Sequence, residues 1–239
     1  MRPERDSAPS AAAIIVAAGR GSRIGEPDKI LLGLGGRPLL AFSIDAVEAA
    51  RSITEIVLVA GIHTKERIEH LVAVSGWRKI HHVTLGGERR QDSVEAGLRL
   101  VRTEIDVVVI HDGARPFAPP ALFDACASEA ARAGAAIAAA PVADTLKRAV
   151  GRHVGETISR EGVWAAQTPQ AVRADLLRDA FAFAHAQNLD VTDEASILEA
   201  QGIPVAIVPS TARNLKVTTL DDLELAEALV TGSMERNRL

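Results

Sequence analysis

The sequence contains no tyrosine, a single cysteine (Cys126) and only 3% aromatic residues. Each scarcity excludes something. One cysteine cannot build an intramolecular disulfide framework or a cysteine-based zinc site, and it fits a reducing compartment. Few aromatic side chains leave few platforms on which the bases of a single strand could stack. Histidines number 7, but none pair at metal-ligand spacing, and the neighbours His81 and His82 would face opposite sides of a strand. No apolar run approaches the roughly 18 residues that a membrane span needs. Residues 1–10 are polar and lack the apolar stretch of a signal peptide. The net charge of −4 is an average over 27 scattered basic residues, with no stripe of the kind that grips duplex nucleic acid. The expectation is a cytoplasmic protein that engages neither nucleic acid nor membrane and holds phosphate, if at all, with a few well-placed cations.

What is present is an alternating pattern. Hydrophobic residues make up 47% of the 239 positions and charged residues 24%, the balance of an ordinary globular chain. Short apolar runs at 11–18, 56–60, 107–110, 135–141 and 205–208 read as buried strands. Helical patterns at 39–50, 65–74, 92–101, 120–133, 173–187 and 194–201 lie between or after them. Strands apolar on both faces, alternating with helices, predict an α/β fold with a mostly parallel sheet covered on both sides. Residues 142–163 break the rhythm. They are polar, and Gly151 and Gly155 predict a β-hairpin arm projecting from the body. A last helix opens at Thr219, with Asp221 and Asp222 in its first turn. The expected domain is single, 11–232, with flexible termini at 1–10 and 233–239.

The clearest chemical signal follows the first strand: Ala17-Ala18-Gly19-Arg20-Gly21-Ser22-Arg23, and then Lys29. Small residues let backbone amides approach phosphate oxygens, and a loop at the carboxyl end of a strand is where α/β sheets bind ligands. A dinucleotide fingerprint needs a third glycine, where Ile24 stands, and a Walker loop is absent. Arg23 and Lys29 suit a triphosphate, or they are solvated charges on a turn. Further along, His111-Asp112-Gly113-Ala114-Arg115 ends a strand. There Asp112 could ligate magnesium or meet a ribose, and Arg115 could take a phosphate, or the two could simply pair. Gly86-Gly87-Glu88-Arg89-Arg90-Gln91-Asp92-Ser93 enters a helix and serves capping, base recognition through Ser93, or both. Thr192-Asp193-Glu194-Ala195-Ser196 is explained by a helix cap, and Lys216 is a third phosphate cation or a surface lysine. No nucleophile with its base can be assembled. A doubly wound oxidoreductase, which Ile24 and the cationic loop disfavour, and a non-catalytic nucleotide sensor are the other classes these features admit.

In order, AAGRGSR, the Lys29 region, GGERRQDSV, HDGARPF, ADTLKR, WAAQTPQ, TDEAS and NLKVT resemble the methylerythritol-phosphate cytidylyltransferases over about residues 12–231. The resemblance implies a Rossmann-like nucleotidyltransferase fold, a magnesium requirement and a homodimer with exchanged arms. It implies that CTP and a polyol phosphate, 2-C-methyl-D-erythritol 4-phosphate, are joined with release of pyrophosphate. Ribitol 5-phosphate is the nearest rival substrate. Arg23 and Lys29 would stabilise the transition state, while Ala17, Ala18, Gly19, Gly87 and Ser93 hold the cytidine. Asp112 and Gly113 would lie near ribose and metal, with Asp112 a direct or indirect metal contact. Arg115, Thr168 and Lys216 would line the substrate side, and Thr145 and Arg160 would reach the partner's substrate from the arm. The expected step is an in-line attack on the α-phosphate of CTP by a hydroxyl of the polyol phosphate, governed by positioning and charge.

Overall fold

The computed structural model describes residues 9–19 and 29–236. Residues 20–28, including Arg20, Arg23 and Ile24, lie outside the described residues, as do 1–8 and 237–239. Strand β1 (Ala11–Ala17) shows why the sheet sits in the middle of the molecule. Ala11, Ala13 and Ile15 enter one apolar layer, and Ala12 and Ile14 enter another. This period-two division leaves no polar face, so both faces of the strand must be covered.

The chain continues through the short pair β2 (Gly33–Leu34) and β3 (Arg37–Pro38), α1 (Leu39–Ala49) and β4 (Ile53–Ala60). Next come α2 (Lys65–Ser75), β5 (Ile80–Leu85), α3 (Arg90–Leu98), β6 (Val107–Asp112), α4 (Pro120–Ala133) and β7 (Ala135–Pro141). The arm strands β8 (Leu146–Val150) and β9 (His153–Ile158) lead to β10 (Trp164–Arg173). The chain closes with α5 (Ala174–Ala186), α6 (Glu194–Ala200), β11 (Ala206–Pro209) and α7 (Leu220–Arg236). The main sheet runs β11-β7-β10-β6-β1-β4-β5. All neighbours pair in parallel except β10, which is antiparallel to β6 and β7. One face is covered by α1 through Leu40, Ile44 and Val47, and by α4 through Phe123, Cys126 and Ala127. The other is covered by Val94 of α3, Phe181 of α5 and Leu198 of α6.

The expected α/β architecture is therefore present, with two strands of the main sheet that periodicity does not show. β5 is an edge strand whose exposed His81 and His82 dilute its pattern. β10 contains Pro169, which reads as a strand breaker. The proline falls where β10 shifts register against β7, between Ala166 and Gln170, so its missing donor interrupts no ladder bond.

The arm is a separate two-stranded sheet. Its turn is made by Gly151, whose φ of 58° suits glycine. Gly155 is not in the turn: it is the extra residue where β9 bulges between the Ala149↔Val154 and Arg148↔Glu156 pairs. At the carboxyl side, α7 opens on a reciprocal cap. Asp222 Oδ2 accepts from the Thr219 N–H at 2.8 Å, and Thr219 Oγ1 accepts from the Asp222 N–H at 3.1 Å. At the amino side, Ser10 is tied to Asp106 Oδ2 through its hydroxyl at 2.9 Å. Cys126 is a buried packing residue of α4, and burial pushes its thiol up to about 12. No helix among the described residues is long and apolar enough to cross a membrane.

Candidate active site

Parallel strands bring their carboxyl ends to one edge of the sheet, and Val16 of β1 stands level with Asp112 of β6. The chain leaves these two neighbouring strands in opposite directions, which opens a crevice at their ends. A cavity of about 280 Å3 lies there. Ala17, Ala18 and Gly19 form one wall, and the approach to α3 (Gly87, Arg90 and Ser93) forms another. Asp112, Lys29 and Lys216 supply the charged floor. Segments more than a hundred residues apart in sequence thus meet in one crevice.

The α3 approach is shaped by close packing. A Cβ on Gly86 would stand 2.5 Å from both Ala18 Cβ and Ser93 Oγ, so only glycine lets this loop lie against the β1 loop. Ser93 Oγ accepts from the Gly87 N–H at 3.2 Å and donates to the Arg89 carbonyl at 3.2 Å. Asp92 takes the capping part of the motif, with Oδ2 accepting the Arg89 N–H at 3.1 Å. Capping and cavity lining are therefore shared between adjacent residues rather than being alternatives.

Asp112 is the centre of the charge. Arg90 Nε lies 3.3 Å from its Oδ1, and Lys216 Nζ and Arg115 Nε lie 2.9 and 3.5 Å from its Oδ2. Burial alone would raise the carboxyl pKa, but the three cations outweigh it and hold the group well below the usual carboxylate range. Arg90 also donates through Nη1 to the buried Glu194 Oε1 at 2.7 Å. Burial works against the Arg90 charge too, yet Glu194 and Asp112 hold its pKa above the usual value. Burial raises the Glu194 carboxyl pKa while Arg90 opposes that rise, so with three cations against at most two carboxylates the cluster is net positive before Lys29 is counted. Lys29 donates to the Val217 carbonyl at 3.2 Å, which sets it one residue from Lys216.

Other expected residues sit behind the cavity. Gly113 is buried, and a Cβ there would meet Leu40 Cδ1 at 2.9 Å. Arg115 pairs with Asp112 and donates to the Asn214 carbonyl at 2.7 Å, so the pairing alternative is realised. Thr168 is 3% exposed, and its Oγ1 accepts the Asp112 N–H at 3.0 Å. Its hydroxyl proton then faces His111 Nδ1 at 3.0 Å, because the opposite ring nitrogen meets the Arg115 carbonyl and must carry the other hydrogen. Burial pushes His111 down to about 4, so the ring is neutral. Thr145 and Arg160 are exposed on the arm, and Arg160 donates to the Ala143 carbonyl. They are not part of the cavity within one chain. Arg23 falls outside the described residues.

Sequence reasoning missed the roles of Arg90, His111 and Glu194. Each lies inside a motif it singled out, but buried charge pairing leaves no periodic mark. A metal would find one carboxylate here: among the described residues no group of three or more His, Cys, Asp or Glu is gathered to hold an ion.

The profile of the 2-C-methyl-D-erythritol 4-phosphate cytidylyltransferase family matches residues 11–232. A protein of that name from Gloeobacter violaceus is 44% identical over 227 residues, 94% of this chain and 97% of the relative. Among solved structures, 4-diphosphocytidyl-2C-methyl-D-erythritol synthase from Anaerococcus prevotii superposes with a TM-score of 0.82 at 30% identity, covering 94% of this chain and 97% of the other. The 2-C-methyl-D-erythritol 4-phosphate cytidylyltransferase from Thermus thermophilus gives 0.76 at 33% identity, covering 92% and 98%.

Proposed function

The chain belongs to the 2-C-methyl-D-erythritol 4-phosphate cytidylyltransferase family, and on that premise we propose how its cavity works. The protein is a nucleotidyltransferase. It transfers the cytidylyl group of CTP to 2-C-methyl-D-erythritol 4-phosphate in isoprenoid precursor synthesis and releases pyrophosphate. The observation that carries the reading is the net positive cluster around Asp112, set beneath the Ala17–Gly19 loop and beside Lys29.

The product corrects one expectation. A 4-diphosphocytidyl product contains a P–O–P link between the CTP α-phosphorus and the substrate's own phosphate. The nucleophile is therefore an oxygen of the 4-phosphate, not a hydroxyl. That oxygen bonds to the α-phosphorus as the bond to the oxygen bridging to the β-phosphorus breaks, and pyrophosphate leaves with that oxygen. A phosphate monoester already carries nearly two negative charges at neutral pH. No general base is required, which agrees with a cavity whose nearest histidine is buried and neutral.

The task left to the protein is to bring anions together and stabilise the charge that builds on the α-phosphate. In this reading Ala17, Ala18, Gly19, Gly87 and Ser93 hold the cytidine. Arg23 and Lys29 stabilise the charge at the α-phosphorus, and Lys216 serves the substrate phosphate. Arg115, Gly113 and Thr168 act from behind, by fixing Asp112. Magnesium fits this donor set: it commonly takes one or two carboxylates with substrate phosphates and water, and Asp112 presents one carboxylate to the cavity. When bound, magnesium would neutralise phosphate charge. A homodimer with exchanged arms is supported by Val150 and Val154, each 68% exposed on the hairpin, where apolar side chains favour cover. Arg160 and Thr145 on that arm would serve the partner's cavity. We place the reaction in the cytoplasm, in keeping with a lone reduced cysteine.

The test is pyrophosphate release from CTP by the purified protein across a panel of polyol phosphates. Release with 2-C-methyl-D-erythritol 4-phosphate, abolished by chelation and restored by magnesium, is expected. Preference for ribitol 5-phosphate, or no release with any polyol phosphate, would overturn the reading.

A further inference from the structure

Helix capping accounts for only part of the segment that opens α6. Asp193 performs it, with Oδ1 accepting the Ser196 N–H at 3.1 Å. Glu194 is left unexplained. It is 2% exposed, and while Oε1 receives Arg90, Oε2 has no hydrogen-bond partner. A buried ion pair with an orphaned oxygen is a poor way to stabilise a fold, because desolvation offsets the attraction and apolar side chains of equal volume pack as well. The same guanidinium turns its Nε to Asp112, so Glu194 reaches the cavity through one intermediary. The neighbouring Gln91 fastens the two segments independently: its Nε2 donates to the Leu189 carbonyl at 3.3 Å, and its Oε1 accepts the Val191 N–H at 3.0 Å.

We propose that Glu194 is a positioning residue for cytidylyl transfer: by holding Arg90 against the cavity wall it fixes the attitude of the Asp112 carboxylate and keeps Arg90 off the incoming phosphates. The proposal rests on the functional reading above. Arg90 has three anionic destinations: Glu194, Asp112 and, once they are bound, the substrate phosphates. Glu194 lies on the side away from the cavity and draws one arm of the fork there, leaving only Nε for Asp112. Without that charge the guanidinium closes fully onto Asp112 or swings to a phosphate, and either movement changes the ground state that the substrates meet.

Glu194→Gln keeps the volume and removes the charge. Turnover is expected to fall by about 10- to 100-fold, the usual effect of disturbing a residue that orients a site group. The unfolding midpoint should change little. The Glu194→Gln/Arg90→Lys double variant should lose no more turnover than Arg90→Lys alone, since one acts through the other. Wild-type turnover in folded Glu194→Gln, or losses that multiply in the double variant, would overturn the proposal. Should Glu194→Gln fail to fold, Glu194→Met, which also removes the charge at similar volume, enters the same cycle with the same criteria. CTP affinity by calorimetry, without the second substrate, separates the two failures. A wild-type protein that binds CTP but releases no pyrophosphate sinks the functional reading, and unchanged CTP affinity in Glu194→Gln then sinks the positioning role as well. A CTP affinity changed in either direction supports it, tightened if Arg90 swings to a phosphate and weakened if it closes onto Asp112.

Discussion

Lys216 Nζ lies 2.9 Å from Asp112 Oδ2, so the lysine proposed to meet the substrate phosphate is held in place by the carboxylate proposed to lie near the nucleotide. On the proposed reading the two ligands would not be served by separate walls: an arriving phosphate would compete with Asp112 for Lys216, and Asp112 released on that side would have an oxygen open to ribose or metal. Several measurable consequences come from this arrangement and its neighbours.

Lys216→Met removes that shared cation while keeping most of its stem. Turnover should fall by about 100-fold, the scale on which a misplaced reacting group slows a reaction. The fold should survive, because the lysine side chain is 37% exposed. Steady-state pyrophosphate release with a melting curve checks both, and near-normal turnover would remove Lys216 from the reaction.

Arg23→Ala and Lys29→Ala should each lower turnover by about 100-fold or more, the scale seen when one donor to a developing charge is lost. The loss should appear in kcat rather than only in KM, since charge on the α-phosphate grows toward the transition state. A folded variant of either kind with ordinary kcat would show that the loop cations only attract CTP.

Arg160→Lys should raise KM for the methylerythritol substrate by about tenfold, the cost of part of a charge-assisted contact, while KM for CTP stays put. The arm adds a sharper test. If arms are exchanged, Arg160→Ala and Lys29→Ala proteins, each impaired alone, regain activity when mixed under conditions that reshuffle subunits. Mixtures that stay impaired after verified reshuffling would place Arg160 outside the partner's cavity.

His111 gives a pH prediction. Its folded pKa is pushed down to about 4 from 6.5 by burial. Between those values the unfolded chain binds the proton and the folded chain does not. The contribution is fully present above 6.5 and is lost as pH falls toward 4, amounting to about 3 kcal/mol over the window. Denaturant unfolding at several pH values should show this slope, and His111→Gln should flatten it. Equal slopes in the two proteins would mean that the ring takes its proton without unfolding.

The fold was legible where one rule decided the outcome. β1 and β6 are apolar on both faces, and no other environment suits such strands. α4 was bounded correctly by Pro120 at its start and Gly134 after its end. The arm was legible because glycine and polarity interrupt a buried pattern. β10 was not, because Pro169 contradicts a strand locally and only the register shift against β7 accommodates it.

The site divides along the same line. The sequence by itself determined the residue types and their motifs: a small-residue loop with cations, a carboxylate closing a strand, and a lysine before the last helix. It also set the expectation that a chain with net charge −4 would hold phosphate, if at all, only locally. Tertiary structure alone decided how those charges share each other. Asp112 meets Arg90, Arg115 and Lys216 because parallel strands end at one edge, and Glu194 joins them because Gln91 of α3 fastens the segment that leads into α6. Ion pairing acts through space and depends on burial, so partners set 104 residues apart leave no trace in a linear pattern.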